Sequence, residues 1–505
     1  MTHRALLAKF KGPLLALSLL WVAGWLWFTW GYWEDDAYIH LEYARNFHDG
    51  RGFMFNGLVS NGDTSPLWVV LLAAALGTGL AWLVAGKVLT ILCVAFTMIM
   101  LWRFASRLRE DAELDANSLP AWMLLIFVAS PYFCYWAFSG MEAVGAAGWL
   151  MMQSMLLMPR RASLGTLMAA ALSIGLGPVI RPEMVLMFAA GGPFLLYQWW
   201  QVTQGMSAAR RGAVFLTAAV LLALPLAVWS AYALQAFGYV MPNTNAAKRA
   251  APDSSVVLRM LNVFGLGFPG VLLALAGLAA ALGVPALRAA TAGTPSRTRM
   301  LLGIPASAAP MAAWLALVTL FYVFNQTYVQ TRYALVMAPG LTCLLWVLAL
   351  RHMRSGLVNA LSVTTVALCV AGSLWMARPH LRNKMEVISA IDQMARHIQA
   401  TVPAGQGIAV YSIGQYGFQL RQHPLIDIGG ITRPEASKYL FEGGDKMLAW
   451  AKREGARYYI SGESPEPGAT LLYETQGRVT GWYFQTGAYD APAMHRLWLL
   501  PATAP

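Results

Sequence analysis

Three carboxylates stand side by side at Glu34, Asp35 and Asp36, directly after an apolar run that ends near Tyr32. Charge at the edge of a hydrocarbon layer is costly, so three acids in a row mark a place where charge is used. The chemistry open to them is removal of a proton from a hydroxyl, or the holding of a divalent cation that in turn holds a phosphate. Helix capping is the plainer role for any one of them. From Asp36 onward Ala37, Leu41, Ala44 and Phe47/His48 share a helical face, while Glu42, Arg45 and Asn46 lie elsewhere. That pattern predicts an amphipathic helix lying on the membrane, with Asp35 or Asp36 as its N-cap in the charged form. Two more acids weigh towards function: Glu142 in Ser139-Gly140-Met141-Glu142, and Glu183 in Arg181-Pro182-Glu183.

The counterpart cations are Arg181, Arg332 and Lys248, the last the weakest of the three because Arg249 beside it is an alternative. One such residue where an apolar span meets the outer face is explained by a long side chain reaching from a helix end to water. Three on the side that should be poor in cations favour an anionic ligand, and arginine suits phosphate because its fork can bond bidentately. Tyr38, Asn243 and Tyr333 stand in the same short motifs and join Glu142 and Glu183 as candidates for positioning a substrate. His40, His48 and His423 show no metal-binding spacing and read as solvated loop residues. Gly50, Gly52, Gly57 and Gly62 read as turns rather than a phosphate cradle. The tryptophans of the first apolar run read as an interfacial belt.

The composition says what must position these groups. Of 505 residues 58% are hydrophobic and 12% charged, against about 25% charged in an ordinary soluble protein. Long apolar runs, not short alternating ones, predict a polytopic helical membrane protein and exclude an outer-membrane barrel. The net charge of +12 is a loop property of such proteins and gives no reason to invoke nucleic acid. Cys93, Cys134, Cys343 and Cys369 lie in or beside apolar runs without metal-ligand spacing and read as packing thiols. The basic, tryptophan-rich start reads as a retained first helix with its N-terminus inside.

Apolar windows predict spans near 12–32, 83–103, 119–138, 143–158, 163–180, 183–201, 212–236, 262–284, 303–324, 334–350 and 356–376. The apolar piece that starts at Pro66 runs only about 15 residues, about 22 Å as a helix, which is short for a core of about 30 Å. It reads as an interfacial or re-entrant helix with Ser65 as N-cap and Pro66 in the first helical position. With eleven spans, Arg103/Arg107/Arg109, Arg160/Arg161, Arg210/Arg211, Arg288/Arg297/Arg299 and Arg351/Arg354 all fall on the cytoplasmic side. The acids and cations above then converge on the opposite face. After Ala377 mixed charge returns and no further span follows. There 384–400 and 435–454 read as helices, and 408–414 and 457–463 as strands, of a small α/β domain. The expected division is a membrane domain, 1–376, whose first external loop is 33–66, and an outer domain, 377–505.

The loop DDAYIHLEYARNFHDGRGFMFNG…TSPLW resembles the first external loop of the GT-C superfamily of integral-membrane glycosyltransferases. Within it the chain is most similar to bacterial polyprenyl-phosphate-dependent arabinofuranosyltransferase and mannosyltransferase-like enzymes. SGME at 139–142, RPE at 181–183, PNTNAAK at 242–248, RY at 332–333 and VYSIGQYGF…PLIDIGGITRPE at 410–435 follow in the same order. The resemblance implies an all-α membrane domain of about eleven to thirteen helices, of which the windows above supply eleven spans plus interfacial helices, followed by a periplasmic α/β domain, and residence in the bacterial inner membrane. It implies an inverting transfer from a polyprenyl-phosphate sugar, arabinofuranose among the candidates, to a glycan, lipid or protein hydroxyl. The first acid of the loop motif, Asp35, would be the base, with Asp36 the neighbouring candidate. Arg181, Arg332, and Lys248 or Arg249 would hold the donor phosphate. A divalent cation is a candidate cofactor, with Asp35, Asp36 and Glu142 as its ligands. The group often carries Gly-Glu-x-Val-Glu-Gly where this chain has Gly57-Leu58-Val59-Ser60-Asn61-Gly62, so contacts made by those acids are not carried over. The competing readings are a transporter or flippase of lipid-linked sugars, expected to show mid-membrane charges and internal repeats, and a non-catalytic lipid- or glycan-binding subunit.

Overall fold

A computed structural model describes residues 11–114, 117–243, 256–283, 300–301, 304–327, 329–439, 442–480 and 490–501. Lys248 and Arg249 lie outside the described residues. Among the described residues each apolar window falls mainly on a helix or a pair of helices. Among the described residues six helices are long and apolar enough to cross a membrane, or seven if a bent pair, Val256–Gly265 and Pro269–Leu278, is one span. The helices Leu119–Ala129, Ala143–Leu157 and Leu164–Ile180 are apolar but shorter. The chain is a multi-pass membrane protein.

Local sequence explains where helices stop. Ser130 is extended, the conformation favoured before proline, and its hydroxyl accepts from the Phe133 N–H at 3.2 Å. This break starts a new helix, Pro131–Trp136, which carries Tyr135 and Trp136. Arg181 is likewise extended ahead of Pro182 and ends the helix Leu164–Ile180. Pro66 opens the helix Pro66–Leu76 behind Ser65, as expected, though the Ser65 hydroxyl makes no cap bond. Instead the Ser65 N–H donates to Asp63 Oδ1 at 2.6 Å.

The loop helix runs Asp35–His48, and two expectations for it are corrected. Its N-cap is Glu34, not Asp35 or Asp36, which occupy the first turn, where the helix dipole still favours their charge. Nor does it lie on a membrane with a polar face in water: Glu42 and His40 are buried along with Ala37, Leu41 and Ala44. The polar face is covered by the carboxy-terminal region. Glu42 pairs with Arg45, and Arg45 donates to the carbonyl of Phe418 at 3.0 Å. Downstream, Asn56 and Gly57 both have positive φ (47° and 80°) in the two-residue turn of a short hairpin. The Asn56 side chain accepts from the Leu425 N–H at 2.7 Å.

The composition change near 377 falls not on a linker but on one π-helical turn, Ser373–Ala377, between the helices Ser355–Gly372 and Arg378–Thr401. Beyond it a five-stranded sheet forms in the order Leu425–Asp427, Gly407–Val410, Ala456–Ser461, Asp490–Leu499, Thr470–Thr480. The first three strands are parallel and the last two antiparallel. The strand expected over 408–414 ends at Val410, because Ile413–Gln419 turns into a helix. The helix expected over 435–454 begins only at Gly444, after a 3-10 turn at Pro434–Lys438. Ile391, Met394, Ile408, Val410, Ile413 and Tyr416 belong to the same continuous apolar core as the membrane helices. The carboxy-terminal region is therefore packed onto the loop helix through Ile413–Gln419, not tethered to it.

Candidate active site

Each of the three adjacent acids has a different partner. Glu34 is buried. Its carboxylate accepts from the Tyr32 hydroxyl and from Tyr135 at 2.7 Å, and it lies 3.4 Å from Lys384 Nζ. Burial alone would raise this carboxyl, but Lys384 and the two hydroxyls hold it below its ordinary value. Asp35, half-buried, accepts the backbone N–H of Gln415 on Oδ1 at 2.9 Å. Burial, with Asp36 and Glu34 adding to it, pushes the Asp35 carboxyl up to about 6, against the pull of the Gln415 N–H and Lys384. Asp36, 43% exposed, takes Arg332 Nη1 on Oδ2 at 2.6 Å.

A second cluster adjoins the first. Arg181 is buried between two carboxylates, Glu142 at 2.5 Å and Glu183 at 2.6 Å, with its guanidinium over the Tyr333 ring. Glu142's other oxygen, without a hydrogen-bond partner among the described residues, lies 3.6 Å from His40 Nε2. His40 Nδ1 meets Asp63 Oδ2 at 2.5 Å. Burial disfavours a charged His40, but Asp63 above all, then Glu142 and Asp36, raise it above its ordinary value. Arg332 lies over the Trp136 ring, and Tyr333 stacks on Tyr322.

The loop is held from below by Lys87, fully buried, whose ammonium donates to the carbonyls of Thr29 at 2.8 Å, Tyr32 at 2.7 Å and Phe138 at 2.5 Å. Trp33 fills a slot between Gly86 and Gly140 that a side chain at either glycine would close. Gly140 also has φ +91°, a conformation L side chains rarely adopt. These contacts fix the chain just before Glu34, whose N–H donates to Ser139 O at 2.9 Å.

The structure thus brings together Asp35, Asp36, Glu142, Glu183, Arg181, Arg332 and Tyr333. Tyr38 packs its ring between Trp82 and Phe418. Asn243 sits apart from the acids, bonding Ile431 O at 3.1 Å and receiving the Tyr239 hydroxyl at 2.7 Å. His40 and His423 are buried, not solvated as expected, while His48 is exposed. Among the described residues no group of three His, Cys, Asp or Glu side chains could hold a metal ion. Asp35, Asp36 and Glu142, the candidate cation ligands, are each turned to a different protein partner: the Gln415 amide, Arg332 and Arg181. Sequence reasoning missed Lys384, Asp63, Tyr135 and Gln415. Asp63, an acid beside a tight turn in the same loop, was the one with a usable signal.

Helical spans, the loop helix and the carboxy-terminal sheet together make a fold that the chain shares with solved structures of ArnT. Among solved structures the chain is similar to ArnT from Cupriavidus metallidurans in the apo state, with a TM-score of 0.57 at 13% identity over 95% of this chain and 98% of that one. It is similar also to ArnT bound to undecaprenyl phosphate, with a TM-score of 0.55 at 14% identity over 89% and 97% of the two chains. No family model and no curated protein matches the sequence.

Proposed function

We propose that this chain is an inverting glycosyltransferase that moves a sugar from a polyprenyl-phosphate donor to a hydroxyl acceptor, with Asp35 as the base. The observation that carries the reading is the division of labour between neighbours. Asp36 is neutralised by Arg332, whereas Asp35 has no cation in contact among the described residues and a carboxyl raised to about 6. A carboxylate paired with arginine is a weak base; one poised near neutral pH is an effective one. The fold shared with ArnT, solved with undecaprenyl phosphate, supports a lipid phosphate as carrier.

In the proposed step Asp35 takes the acceptor's proton as its oxygen attacks the anomeric carbon from the face opposite the phosphate. The bond from that carbon to the phosphate oxygen breaks, its electron pair leaves with the phosphate, and the centre inverts through an oxocarbenium-like transition state. Arg332 is the cation best placed to stabilise the departing phosphate, because its partner Asp36 borders open space. Arg181, locked between Glu142 and Glu183, shapes the cluster and adds its field from behind. Glu142, Glu183, Tyr38 and Tyr333 belong to the wall that positions sugar or acceptor.

The proposal places the protein in the bacterial inner membrane with eleven spans, its N-terminus cytoplasmic and a 377–505 domain in the periplasm. Arabinofuranose remains the first sugar to test, and the acceptor is a glycan, lipid or protein hydroxyl. Purified protein with Asp35→Asn, offered a panel of undecaprenyl-phosphate sugars, should bind donor and transfer nothing. Wild-type transfer by that variant would remove the base assignment.

A further inference from the structure

The role of the carboxy-terminal region is written in one contact. We propose that Gly414 and the backbone amide of Gln415 are positioning residues for the reaction, fixing one carboxylate oxygen of Asp35 so that the other meets the acceptor. This rests on the reading of Asp35 as base.

The contact is direct and built. Gln415 N–H donates to Asp35 Oδ1 at 2.9 Å across 380 residues of sequence. Gln415 lies in the first turn of Ile413–Gln419, so its N–H has no acceptor within its own helix and is available to another group. Gly414 makes the approach feasible: a Cβ there would overlap the Asp35 carbonyl oxygen and come within 2.9 Å of its carboxyl carbon. Gly417, a turn later, is packed as closely on Phe55 of the loop hairpin.

The donor is itself braced. The Gln415 side chain donates to Ile388 O at 3.1 Å and to Asp392 Oδ1 at 2.7 Å, both on the helix Arg378–Thr401. That helix also carries Lys384, the partner of Glu34. Two elements after residue 377 therefore hold two consecutive acids of the first loop. A carboxylate that accepts a backbone N–H is fixed in direction and favoured in its charged form. Both effects serve a base that must point at one hydroxyl.

The test separates the amide from the side chain. Gln415→Ala removes the side-chain bonds and keeps the N–H; Gln415→Pro removes both, at a first-turn position that tolerates proline. Carbodiimide labelling of Asp35 in the purified full-length protein, followed by peptide mass spectrometry against pH, reports its protonation without any donor. The charged and phenolic groups that bear on Asp35 are Glu34, Asp36, Lys384, Tyr38 and Tyr416, and all stay unchanged in both variants. The labelling midpoint should rise by about one pH unit in Gln415→Pro relative to Gln415→Ala. Turnover with arabinofuranosyl undecaprenyl phosphate should fall at least about tenfold between them with KM little changed. Gly414→Ala, which must displace Asp35, should lose turnover in the same way. Equal midpoints in the two Gln415 variants, both with wild-type unfolding temperatures, overturn the proposal. Should Gln415→Pro fail to fold, wild-type labelling and turnover in Gly414→Ala overturn it instead. Activity in Asp35→Asn, alongside the midpoint shift between the two Gln415 variants, would sink the functional reading and leave the contact standing.

Discussion

Arg332 reaches Asp36 at 2.6 Å across 296 residues of sequence, joining the start of a late membrane helix to the first loop. The guanidinium is buried against Trp136, while the carboxylate is partly open to solvent. An anion entering from the open side would compete with Asp36 for the same fork. Arg332→Ala should therefore weaken binding of undecaprenyl phosphate about tenfold or more, in line with loss of one hydrogen bond to a charged group. Calorimetric titration of the detergent-solubilised variant checks this, and unchanged affinity would remove Arg332 from the phosphate site.

Transfer should depend on pH through Asp35. The base works only when deprotonated, so turnover should rise as pH passes about 6 and level off above it. Glu34, held below its ordinary value, cannot supply that limb. A limb near pH 4 in the rate profile would point to an unperturbed carboxylate instead.

His40 and Asp63 make stability fall on the alkaline side. The folded-state pKa of His40 is raised above its ordinary value, chiefly by Asp63 acting against burial. Its contribution is fully present below about pH 6.5, the value in the unfolded chain, and is lost as pH rises through the folded-state value. Asp63→Asn should flatten that slope in unfolding temperatures measured from pH 6 upward, while a slope identical to wild type would deny the coupling.

Removing Lys384 should cost stability as well as rate. Lys384→Met strands Glu34 in a buried site with only hydroxyl partners. The pair lies between an exposed bridge and a fully buried one, so a loss of about 1–3 kcal/mol is expected. Because the ion pair depresses the Glu34 pKa, the difference from wild type should be present at pH 7 and shrink as pH falls through the carboxylate range. Thermal unfolding at pH 7 and pH 4 gives the comparison.

What could be read from sequence follows the reach of the physics. Adjacent acids at a hydrocarbon edge are conspicuous because desolvation makes them costly, and Asp35 and Asp36 stood out for that reason. Arg181 and Arg332 were visible as cations on the wrong side of a charge bias. Lys384 was not, since it sits in an amphipathic helix among Arg382, Glu386 and Asp392, where a lysine is ordinary. Gln415 was out of reach for a deeper reason: its backbone amide, not its side chain, touches Asp35, and no residue type announces that. The loop helix was misjudged because its polar face implied water. Glu42 and Arg45 are polar for each other and for the Phe418 carbonyl, a cover that only tertiary structure supplies.

The single π-turn at Ser373–Ala377 lets the last apolar helix continue to Thr401, and the combined segment Gly356–Thr401 is 46 residues long. At the usual rise this is a strut of about 70 Å, apolar in its first half and gripping the acids with its second. Such a strut ties the carboxy-terminal region to the last apolar helix without an intervening loop. Any tilt of that one rod would be felt at Glu34 and Asp35 together, through Lys384 and the brace on Gln415.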